Sequence, residues 1–170
     1  MPDITIHVEW ACSLEEARSV LSESATLACF PGVSRTRTGG EPGRYRQALE
    51  LPLIGLRTQV VEISAEEARP SERTTHVVFA ARGALLCLSG RWTLEQVVGC
   101  VDARLTAGWE VAEEVVGDAI NELRSRSPLP IRTDADAILR RAVDDSFDAY
   151  FARAFVEYRD RVSGLVAGRP

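Results

Sequence analysis

One stretch limits what this chain can become. Between about Asp134 and Val162 the apolar residues Ile138, Leu139, Ala142, Val143, Phe147, Tyr150, Phe151, Ala154, Phe155, Tyr158 and Val162 recur in steps of three and four. That spacing lines them along one side of a helix. Asp136, Arg140, Arg141, Asp144, Asp145, Asp148, Arg153, Glu157, Arg159 and Arg161 take much of the rest of its surface. A helix of roughly 28 residues is about 42 Å long at a rise of ~1.5 Å per residue. Its aromatic stripe needs a large cover, because left bare it is an exposed apolar patch. Most of the upstream chain reads as short strands, so the cover is expected to be a curved antiparallel sheet.

The strands are legible from their period of two. Ile4, Ile6, Val8 and Trp10 alternate with polar residues, with His7 on the wet side. Ser13-x-x-Glu16 is a capping box that starts a short helix through Ala17, Val20 and Leu21. A second short helix is expected from Ser24 to Cys29, ending at Phe30-Pro31-Gly32. Val33–Arg37 is a candidate strand, and Tyr45, Gln47, Leu49 and Leu51 share one face of the next. Leu56 to Ser64 alternates imperfectly, and Val60-Val61 suggests a bulge. Ala65 to Glu72, charged and containing Pro70, is expected to be a loop. A β-branched strand covers Thr74 to Ala81. Leu86, Leu88, Trp92 and Leu94 then share a face, as do Val101, Ala103, Leu105, Ala107 and Trp109 after a turn at Val98-Gly99-Cys100. Val111 to Leu123 returns to helical spacing, followed by the Ser127-Pro128-Leu129-Pro130 break. Thr133 or Asp134 is positioned to cap the long helix, and Gly164 to Pro170 is expected to fray.

Composition removes several functions. A chain of 170 residues with net charge −5 and no lysine speaks against nucleic-acid binding, Schiff-base chemistry and lysine-dependent phosphate loops. Cys12, Cys29, Cys87 and Cys100 have no metal or redox spacing, and His7 and His76 are the only histidines, so no metal or cofactor is expected. Four reduced, mostly buried thiols suit a cytoplasmic protein. No signal-peptide pattern and no membrane-length apolar run are visible. An arginine-only, Ala- and Val-rich composition points to a bacterial source.

A strand, two short helices ending in Phe30-Pro31-Gly32-Val33, about six further strands from Tyr45 to Trp109, and a closing amphipathic helix resemble the START-like, or SRPBCC, superfamily. That is the α+β helix-grip fold shared with Bet v 1 allergens and polyketide cyclases. The likeness spans nearly the whole of 1–170 by pattern, without a catalytic signature. It implies a curved antiparallel sheet of about six or seven strands around the C-terminal helix, and a deep apolar pocket between them. The chain departs from the pattern at Glu110 to Arg132, an additional helix and proline-containing break that reads as a lid, a partner surface or padding.

The resemblance implies a bulky hydrophobic ligand, lipid or polyketide-like, with no nucleic acid and no membrane insertion; a homodimer is left open. The expected pocket residues are Gln47, Thr58, Leu88, Trp92, Ala107, Trp109, Phe147, Tyr150, Phe151 and Tyr158. For each of the aromatics, core packing is the alternative, and in this fold the two overlap. An inward Gln47 needs a hydrogen-bond partner. Were the chain a polyketide aromatase/cyclase, His76, Glu62 and Tyr45 are the candidate catalytic groups, His76 because it titrates near neutrality. The facing of His76 and Glu62 is ambiguous: Thr74, His76 and Val78 point inward, or Thr75, Val77 and Phe79 do. A third reading makes 110–132 a protein-docking surface.

Overall fold

The structure is a computed structural model, and it describes residues 3–22, 30, 33–37, 43–126 and 135–168. The strands are β1 (Asp3–Trp10), β2 (Val33–Arg37), β3 (Arg44–Leu51), β4 (Gly55–Ser71), β5 (Thr74–Gly83), β6 (Leu86–Val97) and β7 (Cys100–Val111). They form one antiparallel sheet in the order β1-β7-β6-β5-β4-β3-β2. The helices are α1 (Leu14–Ser22), α2 (Glu113–Arg126) and α3 (Ala135–Ala167). Among the described residues, no helix is long and apolar enough to cross a membrane.

The capping box forms as written. The Ser13 N–H donates to Glu16 Oε2 at 2.7 Å, and the Glu16 N–H donates to Ser13 Oγ at 3.3 Å. These bonds hold the Glu16 carboxyl below its usual range. In β5, β6 and β7 the buried residues alternate, so one sheet face is apolar and turned toward α3. The inward stripe of α3, from Val143 through Phe147, Phe151, Phe155 and Tyr158 to Val162, covers it. The backbone of α3 runs closest to α2, β1 and α1, and then to β7. This is the expected helix-grip arrangement.

Several local expectations are corrected. Residues 65–71 are strand and not loop, because β4 continues past the end of β3 as the outer neighbour of β5. Pro70 is tolerated there because an edge position asks no ladder donor of it. No bulge lies at Val60–Ile63; the register shift falls between Ala68 and Ser71. The long helix does not fray at Gly164 but continues to Ala167, with Val166 buried. Its first turns are wetter than expected, and Ile138 is 68% exposed. Cys12, Cys87 and Cys100 are free and half-buried. The expected helix at 24–29, the 127–130 break and the Thr133/Asp134 cap lie outside the described residues.

α2 joins the core. Val115, Val116 and Ala119 are buried, and the Ala112 N–H donates to Leu85 O at 2.9 Å, tying the start of the helix to the β5–β6 turn. Asp118 pairs with Arg57 beside the β3–β4 turn at 3.6 Å. Glu113 pairs with Arg140 at 2.6 Å, and Arg124 with Asp136, both on α3. α2 therefore lies at the end of the sheet where β7 finishes and the β3–β4 and β5–β6 turns sit.

Candidate functional site

The gripped interior is aromatic at its centre. Trp92 on β6 lies 5.2 Å from Trp10 on β1 and 6.3 Å from Tyr158 on α3, centroid to centroid. Tyr158 also meets Phe79 at 6.0 Å. Phe30, which follows α1, meets Phe155 edge-on at 4.9 Å. Trp109 on β7 lies 5.8 Å from Phe151 and 5.9 Å from Phe155. Gly90 makes room for one of these rings: a Cβ there would stand 2.3 Å from Phe79 Cζ. Leu88, Ala107 and Phe147 are buried in the same cluster. Among the described residues, the side chains of this cluster expose almost no surface. A guest has to part them.

Polar groups enter this interior at few points. Trp10 Nε1 donates to Ser163 Oγ at 2.9 Å, and Trp109 Nε1 donates to Asp148 Oδ1 at 3.0 Å. Trp92 Nε1, on a residue 1% exposed, has no partner among the described residues. Tyr45 faces inward half-buried against the core. Tyr150 is half-buried on α3 beside Phe151 at 5.1 Å, and burial raises its phenol above the usual range, with Glu50 and Glu157 adding to the shift.

The most constrained polar feature is a relay of two amides. Counting outward from the β3–β4 turn puts Gln59 directly opposite Gln47. Gln59 Oε1 accepts the backbone N–H of Leu85 at 2.9 Å and of Leu86 at 3.3 Å. Those two donors fix which end of the Gln59 amide is oxygen, so its Nε2 is free to donate to Gln47 Oε1, at 2.8 Å. The orientation of Gln47 is thereby set as well. Its Nε2 is the remaining end, buried and without a partner among the described residues. Gly83 provides the space for the relay, since a Cβ there would stand 2.1 Å from Gln59 Oε1.

Three expected site residues are not in this interior. Thr75, Val77, Phe79 and Ala81 are the buried set of β5, so His76 lies on the opposite face of the sheet. Gln59 and Val61 are the buried pair on β4, which turns Thr58 and Glu62 outward, where both are exposed. The remaining expected residues, Tyr45, Gln47, Leu88, Trp92, Ala107, Trp109, Phe147, Tyr150, Phe151 and Tyr158, lie on the inner face or the facing side of α3. Gln59 and Asp148 were not anticipated. The first was detectable, because a hairpin centred on Leu53 pairs positions that sum to 106, and 47 pairs with 59. The second carries no signal of its own in an outer stripe of charges.

A groove of about 420 Å³ reaches this interior from outside, between the end of β7, the start of α2 and the middle of α3. Its apolar side is Trp109, Val111, Val116 and Phe147, and its rim is Glu110, Glu113, Arg140, Asp144 and Asp148. The Glu113–Arg140 pair is part of that rim, and the Arg140 hydrogen bond holds the Glu113 carboxyl below its ordinary range.

Solved structures superpose on the chain along nearly its whole length at low sequence identity. A conserved protein from Geobacillus kaustophilus superposes with a TM-score of 0.52 at 12% identity, covering 98% of this chain and 95% of its own. A protein from Thermus thermophilus does so at 0.50 and 16% identity, covering 99% and 100%. The Zhui aromatase/cyclase from Streptomyces sp. R1128 reaches 0.48 at 14% identity, covering 98% and 93%. No family model and no curated protein matches the chain. What the chain shares with the first two is the architecture, an antiparallel sheet packed on a long C-terminal helix, and at these identities the likeness concerns the fold alone.

Proposed function

We propose that this chain binds a bulky apolar small molecule between its sheet and α3. The observation that carries this reading is the groove beside α2. Trp109, Val116 and Phe147 belong both to its apolar side and to the buried cluster, so an apolar guest entering there meets the interior directly. Aromatic walls give such a guest large contact areas, and a few placed polar groups give it an orientation.

A cyclase reading draws no support from His76 or Glu62, which face away from the interior. It is left with the phenols of Tyr45, Tyr150 and Tyr158 and with the positioning of a substrate. A docking role for α2 competes with its own packing, since Val115, Val116 and Ala119 are already buried within the chain. The binding reading is tested by native mass spectrometry of the purified chain, followed by titration with 1-N-phenylnaphthylamine. A bound apolar molecule released on unfolding, or saturable probe binding weakened by Val116→Asp, is the expected result. A chain that carries nothing and leaves the probe unbound overturns the reading.

A further inference from the structure

We infer that the guest presents a neutral carbonyl oxygen, and that it seats on Gln47 Nε2. The inference rests on the interior-binding reading and adds the chemical class of the ligand.

The relay determines the donor. Leu85 and Leu86 N–H hold Gln59, Gln59 holds Gln47 Oε1, and the Gln47 amide nitrogen is left buried with nothing among the described residues to donate to. A buried donor without an acceptor costs free energy, so a packed interior without a guest would be better served by an apolar residue at this position. The relay also resists rearrangement. Turning Gln47 over would set its NH₂ against the NH₂ of Gln59, and turning Gln59 over would set its NH₂ against two backbone donors. The free donor is thus held in place before any ligand arrives.

The surroundings select the acceptor. Among the described residues, the buried polar side chains are Gln47, Gln59 and Thr75, all neutral; Arg57, two residues before Gln59 on β4, is partly exposed and pairs with Asp118. A carboxylate seated on Gln47 would bring a charge among buried polar groups that, among the described residues, are all neutral. A hydroxyl would satisfy the amide but bring another donor needing a partner. A ketone or ester oxygen satisfies the amide and adds nothing to be satisfied. Gln47 lies at the level of the β5–β6 turn, which bonds to the start of α2 through Leu85 O and Ala112 N–H, and α2 borders the entry groove.

The test uses three probes of one shape on the full chain: 2-acetylnaphthalene, 2-ethylnaphthalene and 2-naphthoate, titrated calorimetrically. The acetyl compound is expected to bind about tenfold more tightly than the ethyl compound, as one hydrogen bond to an otherwise unmatched donor provides, with naphthoate the weakest. Gln47→Met, which keeps the length and removes the donor, should bring the acetyl and ethyl affinities within about twofold of each other. The acetyl C=O stretch should move to lower wavenumber on binding to the wild-type chain. Equal binding of acetyl and ethyl compounds overturns the inference while leaving interior binding intact. So does a preference that survives in Gln47→Met, or naphthoate binding best. If none of the three binds, the interior reading fails and takes the inference with it. Should Gln47→Met fail to fold, an unshifted C=O stretch in the wild-type chain is the overturning result.

Discussion

Three tryptophans share one interior, and they differ in what happens to the indole N–H. Those of Trp10 and Trp109 reach acceptors on α3, whereas that of Trp92 reaches none among the described residues. Trimming Trp92 or Trp109 to phenylalanine removes a similar volume, so the cavity contributions nearly cancel in the comparison. What remains is the hydrogen bond. Trp109→Phe should destabilise the fold by about 1 kcal/mol more than Trp92→Phe, because only the former loses a made bond. Urea unfolding of the two variants measures the difference, and equal midpoints would mean that Trp92 Nε1 has an acceptor after all. The same reasoning applies to Gly83, whose missing Cβ is occupied by the Gln59 amide. Gly83→Ala should displace an amide held by three hydrogen bonds and cost about 1–3 kcal/mol, read from the same unfolding curves.

Among the elements, period-two strands were legible wherever one face is buried. Leu86–Leu94 and Val101–Trp109 alternate because the inner face is core and the outer face is wet. The end of β4 was not legible for the same reason. Residues 64–71 are exposed on both faces, so alternation has nothing to report, and only pairing with β5 makes them strand. Parity failed at Val60-Val61, where two adjacent apolar residues fit either face; there the hairpin register decides, and it turns Thr58 and Glu62 outward. α2 was visible as a helix, but its place at the end of the sheet depends on long-range partners such as Arg57 and Arg140. Its docking should respond to pH. The folded-state pKa of Glu113 is lowered, chiefly by the Arg140 hydrogen bond, so the stabilisation is fully present above the ordinary glutamate value of 4.5 and disappears as pH falls through the lower folded value. Amide exchange in α2 should therefore rise relative to the β6–β7 core on acidification through that range, and Glu113→Gln should flatten the dependence. A profile unchanged in Glu113→Gln would assign the loosening to other carboxylates.

For the whole molecule, the binding proposal and the close burial of the described inward side chains are compatible through motion. The inward side chains expose almost no surface, and protein cores are too dense to admit a naphthalene-sized guest without separating packed elements. Sheet strands are tied by ladders along their length, whereas α2 is held by its buried Val115, Val116 and Ala119, by one backbone bond to Leu85, and by pairs that solvent reaches, Arg57–Asp118, Glu113–Arg140 and Arg124–Asp136. Exposed pairs of this kind hold weakly, because water already solvates both charges and salt screens them. On the binding proposal, a guest entering at the groove meets α2 first, so α2 is the element whose separation is tested, against the burial of Val115, Val116 and Ala119. Opening that precedes binding has a kinetic signature. The observed association rate with 2-ethylnaphthalene should rise with concentration and then level off at the opening rate, instead of increasing linearly. Glu113→Gln should raise that plateau by about two- to fivefold, as the loss of one exposed ion pair allows, and should change the affinity little if the guest does not touch Glu113. Added salt should act in the same direction by screening all three pairs. Stopped-flow tryptophan fluorescence gives both quantities. A rate that stays linear up to millimolar ligand would show the interior already open, and a plateau indifferent to both salt and Glu113→Gln would move the opening from α2 to another element.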